Sequence, residues 1–138
     1  MAGRLVACSV KSSLKLALTG VLILASVAPV GGYAKQAVPS DSLATIKVAE
    51  LPQQGQQTYE RIFQGGPFAY DKDGTVFGNR ERLLPAAKRG FYREYTVKTP
   101  GSRDRGTKRI VCGGQQPKTP DACFYTADHY SSFRKIQP

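Results

Sequence analysis

Three short runs carry side chains suited to acid–base chemistry: Tyr92-Arg93-Glu94-Tyr95, Arg105-Gly106-Thr107-Lys108-Arg109 and Thr126-Ala127-Asp128-His129-Tyr130. Together they supply a carboxylate, guanidinium groups and an imidazole. His129 is the only histidine in the chain. A proton acceptor, a cation and a proton donor are what a phosphodiester needs when a neighbouring hydroxyl is its nucleophile, as in RNA. The side chains then have only to remove the 2′-hydroxyl proton, neutralise the phosphorane and protonate the departing 5′-oxygen. That chemistry calls for no metal and no cofactor. Asn79-Arg80-Glu81 adds a second polar cluster upstream.

For these groups to act together, the backbone must aim them the same way. Gly90 to Val97 is the longest strand candidate, aromatic and β-branched throughout. A period of two puts Tyr92, Glu94 and Thr96 on one face and Phe91, Arg93, Tyr95 and Val97 on the other. If Tyr95 and Val97 pack on a helix, Glu94 points outward with no apolar neighbour over it. In the next strand, burying Ile110 turns Arg109 to the same open face. An isolated Glu/Arg pair of this kind is most often a plain cross-strand ion pair, so the agreement among separate runs is what favours chemistry.

A basic start at Arg4, Lys11 and Lys15 precedes an uncharged stretch from Leu16 to Ala34. Gly32 and Ala34 form the small-x-small pattern of a signal peptidase site. The reading is a signal peptide over residues 1–34 and one domain over residues 35–138. The rival is a membrane anchor, which Gly20, Pro29 and the Gly31-Gly32 pair weaken. The leader holds three of the 20 basic residues and none of the 10 acidic ones, so the charge falls from +10 to +7 on removal. Such an excess favours polyanions or anionic surfaces and says nothing about fold. What remains is one domain with a modest core.

Cys8 leaves with the leader, and Cys112 and Cys123 remain, an even count suited to an oxidising compartment. Gly113-Gly114, Pro117 and Pro120 lie between them, which reads as a hairpin loop closed at its base by a disulfide. A metal site is the alternative for paired cysteines, but one histidine leaves the ligand set short. Upstream, Pro52 opens a helix over Gln53 to Gln64 that Gly65-Gly66-Pro67 ends. Tyr59, Ile62 and Phe63 fall on its expected buried face, and Gly55 weakens its first turn. Thr45 to Val48, Thr75 to Phe77, Lys108 to Cys112, Cys123 to Thr126 and Ser132 to Ile136 are further strand candidates. One helix followed by a run of strands implies an α+β domain with an antiparallel sheet.

The order and spacing of several runs carry a resemblance across nearly the whole mature chain. They are Gly66-Pro67-Phe68, Phe77-Gly78-Asn79-Arg80-Glu81, Leu84-Pro85, Glu94-Tyr95-Thr96, Thr99-Pro100-Gly101, Arg105-Gly106-Thr107-Lys108-Arg109-Ile110 and Asp128-His129-Tyr130. The chain resembles the microbial guanyl-specific ribonucleases, the family of barnase and binase. The resemblance implies an N-terminal helix packed on a curved antiparallel sheet. It implies Glu94 as general base, His129 as general acid, and Arg109 assisted by Arg105 at the phosphorane, with Tyr130 on the phosphate.

Glu81 would accept from N1–H and the 2-amino group of an unpaired guanine, and backbone N–H groups around Asn79 and Arg80 would meet its O6. Phe77, Arg80 and Tyr130 would stack on the base. Single-stranded RNA is the implied substrate, a barstar-like protein an implied inhibitor, and the mature enzyme a secreted monomer free of the membrane. Three departures stand out: Gly78 where relatives carry a polar side chain, a longer loop between Cys112 and Cys123, and no match for a helix lysine at the phosphate. Two other classes compete: a secreted cationic binding or antimicrobial protein without catalysis, whose activity would survive loss of Glu94, and a ribonuclease toxin used against competitors, which shares the chemistry and would be held by a barstar-like inhibitor in the producer.

Overall fold

The computed structural model describes residues 38–138, so the leader assigned to residues 1–34 lies outside the described residues. The element order is β1 (Thr45–Lys47), α1 (Gln53–Gln64), β2 (Thr75–Val76), β3 (Tyr92–Thr96), β4 (Arg109–Gly113), β5 (Ala122–Thr126) and β6 (Arg134–Gln137), with short 3-10 turns at Ser40–Ser42 and Val48–Glu50. The six strands form one sheet in the order β1-β6-β5-β4-β3-β2. Five of them run antiparallel, but β1 pairs with β6 in parallel, so the sheet is mixed rather than purely antiparallel. A three-residue strand carries no mark of its pairing direction. A contact with the far end of the chain decides it.

Helix α1 has the limits that its proline and glycine punctuation predicts, and Gly65 closes it in the left-handed region at φ 80°. Its buried face differs from expectation. Gly55, Thr58 and Ile62 are buried, Tyr59 is half-buried and Phe63 is exposed. The helix lies so close to the sheet that a Cβ at Gly55 would meet Leu51 Cβ at 3.3 Å and Val97 Cγ1 at 3.7 Å. Gly55 therefore permits close packing that its low helix propensity alone would not suggest. The Thr58 hydroxyl donates to the Thr96 carbonyl at 3.2 Å, which ties α1 to β3.

Two apolar clusters sandwich the sheet. On the helix side, Ile62, Tyr95, Val97, Ile110, Tyr125 and Ile136 pack with the Cys112–Cys123 disulfide, whose cysteines sit directly opposite each other on β4 and β5. Full burial of a side chain such as Ile62 contributes about 1.5–3 kcal/mol. The second cluster, on the other face, joins Tyr92, Val111, Phe124 and Phe133 with Leu84 from the loop after β2. That face is therefore not bare, as expected from β3 alone: one end is apolar and the other carries Glu94, Thr96, Arg109 and Thr126. Their shared face follows from the register, which pairs Glu94 with Val111, Thr96 with Arg109, and Arg109 with Thr126.

Candidate active site

The polar end of this face opens into a cleft whose lining includes Phe77, Glu81, Glu94, His129 and Tyr130. Strand β3 supplies Glu94, and the loops after β2 and β5 supply the rest. The Glu94 carboxylate is held from two sides. Tyr130 Oη donates to Glu94 Oε2 at 2.6 Å, and Arg105 lies 3.4 Å from Oε1 as both ion pair and hydrogen bond. Burial, the Glu94 hydrogen bond and the Glu94 charge push the Tyr130 hydroxyl up to about 12. It therefore stays protonated and donating through the neutral range. The Tyr130 hydroxyl, expected at the phosphate, rests here on the Glu94 carboxylate.

Arg105 is fixed by Thr96 Oγ1, which accepts from its Nε at 3.0 Å and its Nη2 at 2.8 Å. Behind it lies Asp73, almost fully buried, whose Oδ1 accepts from the Thr96 backbone N–H at 2.7 Å and sits 3.7 Å from Arg105. In sequence Asp73-Gly74 signals only a turn, so its place behind the site went unseen. A buried carboxylate is costly unless paired, and both partners lie on the site.

Arg109 differs most from expectation. It is buried, and its Nη1 donates to the carbonyls of Arg105 at 3.2 Å, Gly106 at 2.9 Å and Lys108 at 2.7 Å. It makes no ion pair with Glu94, because the two stand diagonally across the β3–β4 register and Arg105 occupies that carboxylate. Arg109 shapes the loop that presents Arg105, and its charge faces the Tyr130 hydroxyl. Its Nε is buried without a hydrogen-bond partner.

His129 is exposed on the cleft, its ring centroid 4.9 Å from that of Tyr130. His129 and Tyr130 both adopt left-handed backbone, at φ 54° and 70°, a conformation that side chains other than glycine rarely take. A polar cage holds it. Thr126 Oγ1 accepts from the Tyr130 N–H at 3.1 Å and donates to Asp128 Oδ1 at 2.8 Å, and Ser132 donates to Asp128 through its N–H at 3.0 Å and its hydroxyl at 2.6 Å. These bonds, those from Ser132 foremost, hold the Asp128 carboxyl down to about 2. The His129 N–H donates to the Thr107 carbonyl at 3.2 Å, and the Thr107 hydroxyl to the Ala127 carbonyl at 2.8 Å. The Arg105 and His129 loops are thus joined. The Thr-x-Asp and Asp-x-x-x-Ser spacings are the signal for this cage that sequence reading passed over.

The other end of the cleft is the loop Gly78–Pro85. The Asn79 side chain faces into this loop: its Nδ2 donates to the Leu84 carbonyl at 2.9 Å and its Oδ1 accepts from the Leu84 N–H at 3.0 Å. Asn79 is left-handed at φ 43°. Its side chain therefore fixes loop shape, leaving Arg80 and Glu81 exposed along the rim. Phe77 packs against Tyr130 with centroids 5.1 Å apart and 30° between the rings, and against Phe133 at 6.0 Å. The structure thus joins Arg105 and Tyr130 to Glu94, sets the His129 ring beside Tyr130, and lines the same cleft with Phe77, Asn79 and Glu81, while Arg109 lies buried behind the Arg105 loop.

This fold and site define a ribonuclease: the ribonuclease family model matches residues 34–137, and the chain belongs to that family. Guanyl-specific ribonuclease Sa3 of Kitasatospora aureofaciens is 54% identical over 86 residues, 62% of this chain and 58% of that protein, so the match spans a little over half of its length. Guanyl-specific ribonuclease St of Saccharopolyspora erythraea is 51% identical over 89 residues, 64% of this chain and 83% of that protein. Among solved structures, ribonuclease Sa2 in complexes with mononucleotides superposes with a TM-score of 0.65 at 44% identity, covering 70% of this chain and 96% of that one. The same enzyme with guanosine-2′-cyclophosphate gives 0.63 at 43% identity, over 70% and 98%.

Proposed function

We propose that this protein is a secreted guanyl-specific endoribonuclease that cuts single-stranded RNA on the 3′ side of guanosine through a 2′,3′-cyclic phosphate. The observation that carries this reading is the Glu94 carboxylate, held by Arg105 and Tyr130 in a cleft that His129 and Glu81 also line. Guanyl specificity in the relatives and the cyclophosphate bound to ribonuclease Sa2 support the base preference and the intermediate.

In the first step Glu94 accepts the 2′-hydroxyl proton as the 2′-oxygen bonds to phosphorus. The P–O5′ bond breaks, and His129 gives its proton to the 5′-oxygen. Arg105, 3.4 Å from the base, is the cation placed to neutralise the phosphorane, with Arg109 fixing its loop. In the second step His129 takes a proton from water as the water oxygen bonds to phosphorus, the P–O2′ bond breaks, and Glu94 returns its proton to the departing 2′-oxygen. Guanine offers N1–H and the 2-amino group to the Glu81 carboxylate, with Phe77 and Tyr130 against its ring and Arg80 at the rim. DNA lacks the 2′-hydroxyl and cannot react by this route. Removal of residues 1–34, release as a monomer and control by a barstar-like inhibitor complete the reading.

The test is incubation of the mature protein with RNA oligonucleotides in chelator. Wild type should cut after G and leave cyclic phosphate ends. Glu94→Gln and His129→Ala should each lose about 10²–10⁴-fold in rate. Equal cutting of DNA, or full activity in Glu94→Gln, would defeat the assignment and favour a purely cationic binder.

A further inference from the structure

A second cavity of about 510 Å³, within the size range of small-ligand sites, opens beside the catalytic cleft. Its walls include Phe91, Phe124, Lys88, Lys135 and Gln115. The two hollows share Ala87, Lys88 and Tyr92, so they adjoin at these residues. Arg89 lines the catalytic side of the junction. Lys88 Nζ donates to Gln115 Oε1 at 3.1 Å, which anchors the lysine while leaving two of its three N–H groups to donate elsewhere. Phe91 is half-buried and meets Tyr92 edge-on with centroids 5.0 Å apart, so its ring is held by a neighbour.

The geometry points to this cavity as a subsite for the nucleotide on the 5′ side of the recognised guanosine. Lys88 and Arg89 hold the phosphate between the two nucleotides, and the apolar hollow beside Phe91 takes the upstream base. The inference rests on the function proposed above, because the direction of the strand follows from the role of His129. As the acid, His129 must meet the departing 5′-oxygen, so the 3′ portion of the RNA leaves on its side. His129 follows the Thr126 end of β5, and Phe91 precedes the Tyr92 end of β3. The register puts these at opposite ends of the sheet, since Thr96, Arg109 and Thr126 lie in one row and Tyr92, Gly113 and Ala122 in another. Four residues of strand separate the rows, about 13 Å. Residues 77–81 line the same cleft as His129 and Lys88, and Lys88 also lines the adjoining cavity, so the 5′ portion runs toward Lys88. An apolar hollow beside an aromatic ring accepts any base, because every base has a π-face.

Product-like ligands test this without any need for turnover: guanosine 3′-phosphate, its 5′-phosphorylated form, and uridylyl-guanosine 3′-phosphate, titrated by calorimetry. The 5′-phosphate should tighten binding roughly two- to fivefold per cation. The upstream uridine should add about tenfold more. Lys88→Gln with Arg89→Gln should erase the first gain, and Phe91→Leu, which keeps apolar bulk, should erase most of the second. Each gain is read relative to the same variant's affinity for guanosine 3′-phosphate, which Phe91→Leu should leave unchanged. Identical affinities for the three ligands in wild type would overturn the proposal, as would gains that survive in the variants. So would a gain confined to the non-cleavable 3′-extended ligand deoxyguanylyl-uridine, which would put the leaving side in this cavity. Cleavage of RNA is scored separately, so loss of the nuclease reading would show as absent cutting with the binding series unaffected.

Discussion

The two faces of the sheet are built by alternate residues of the same strands, yet they serve opposite ends. On the helix side, Tyr95, Val97, Ile110, Cys112 and Tyr125 form a continuous apolar layer closed by α1 and a disulfide. On the cleft side, apolar packing covers only the Tyr92, Val111 and Phe124 end. The Glu94, Thr96, Arg109 and Thr126 end keeps polar side chains, each with at least one hydrogen-bond partner. One face supplies stability, and half of the other can therefore carry charge, buried arginine and left-handed backbone. The strain at His129 and Tyr130 is tolerated because the opposite face does not share it.

Substitution on each face should separate these roles. Glu94→Gln should cost the hundred- to ten-thousand-fold loss stated above while leaving the thermal midpoint nearly unchanged. Ile110→Ala, on the adjacent strand but facing the helix, should do the reverse. It should lower stability by about 2–5 kcal/mol in urea melts while activity per folded molecule stays near wild type. A Glu94→Gln protein that unfolds as easily as Ile110→Ala would show that the two faces are not independent. Within the cleft side, Glu81→Gln should remove a bidentate carboxylate contact worth about 1–3 kcal/mol, seen as a fall in kcat/KM for GpN dinucleotides with little change for ApN. An unchanged preference among bases would remove Glu81 from recognition.

The smallest effect belongs to Asp128. Its carboxyl titrates at about 2 in the folded chain, below the usual 3.8. A depressed folded value stabilises above the unfolded value and is lost as pH falls through the folded one, so the effect fades between about pH 4 and pH 2. The group is exposed, and solvent screening keeps the contribution small. The difference in thermal midpoint between wild type and Asp128→Asn should shrink across that window. A difference that stays constant from pH 5 to pH 2 would refute the coupling.

Much of this arrangement was legible in the residues. Proline and glycine mark both ends of α1, and two-residue periodicity correctly puts Glu94 and Arg109 on the face opposite Tyr95 and Ile110. The paired cysteines close the hairpin as expected. What local pattern does not encode are contacts between distant segments. The parallel pairing of Thr45–Lys47 with Lys135–Gln137, the preference of Glu94 for Arg105 over Arg109, and the hydroxyl of Tyr130 on Glu94 each join residues far apart or choose between two equally plausible cations. Phe63 shows the same limit. Helical spacing allows it on the buried face, but the close approach at Gly55 rotates the contact toward Thr58 and Ile62.

The paired bonds from Thr107, one to Ala127 and one from His129, make the two polar loops a single mechanical piece. A chimera built by exchanging loops with another protein would have to transplant residues 103–109 and 126–132 as a set. Moving either alone would leave a seam across the place where the substrate reacts.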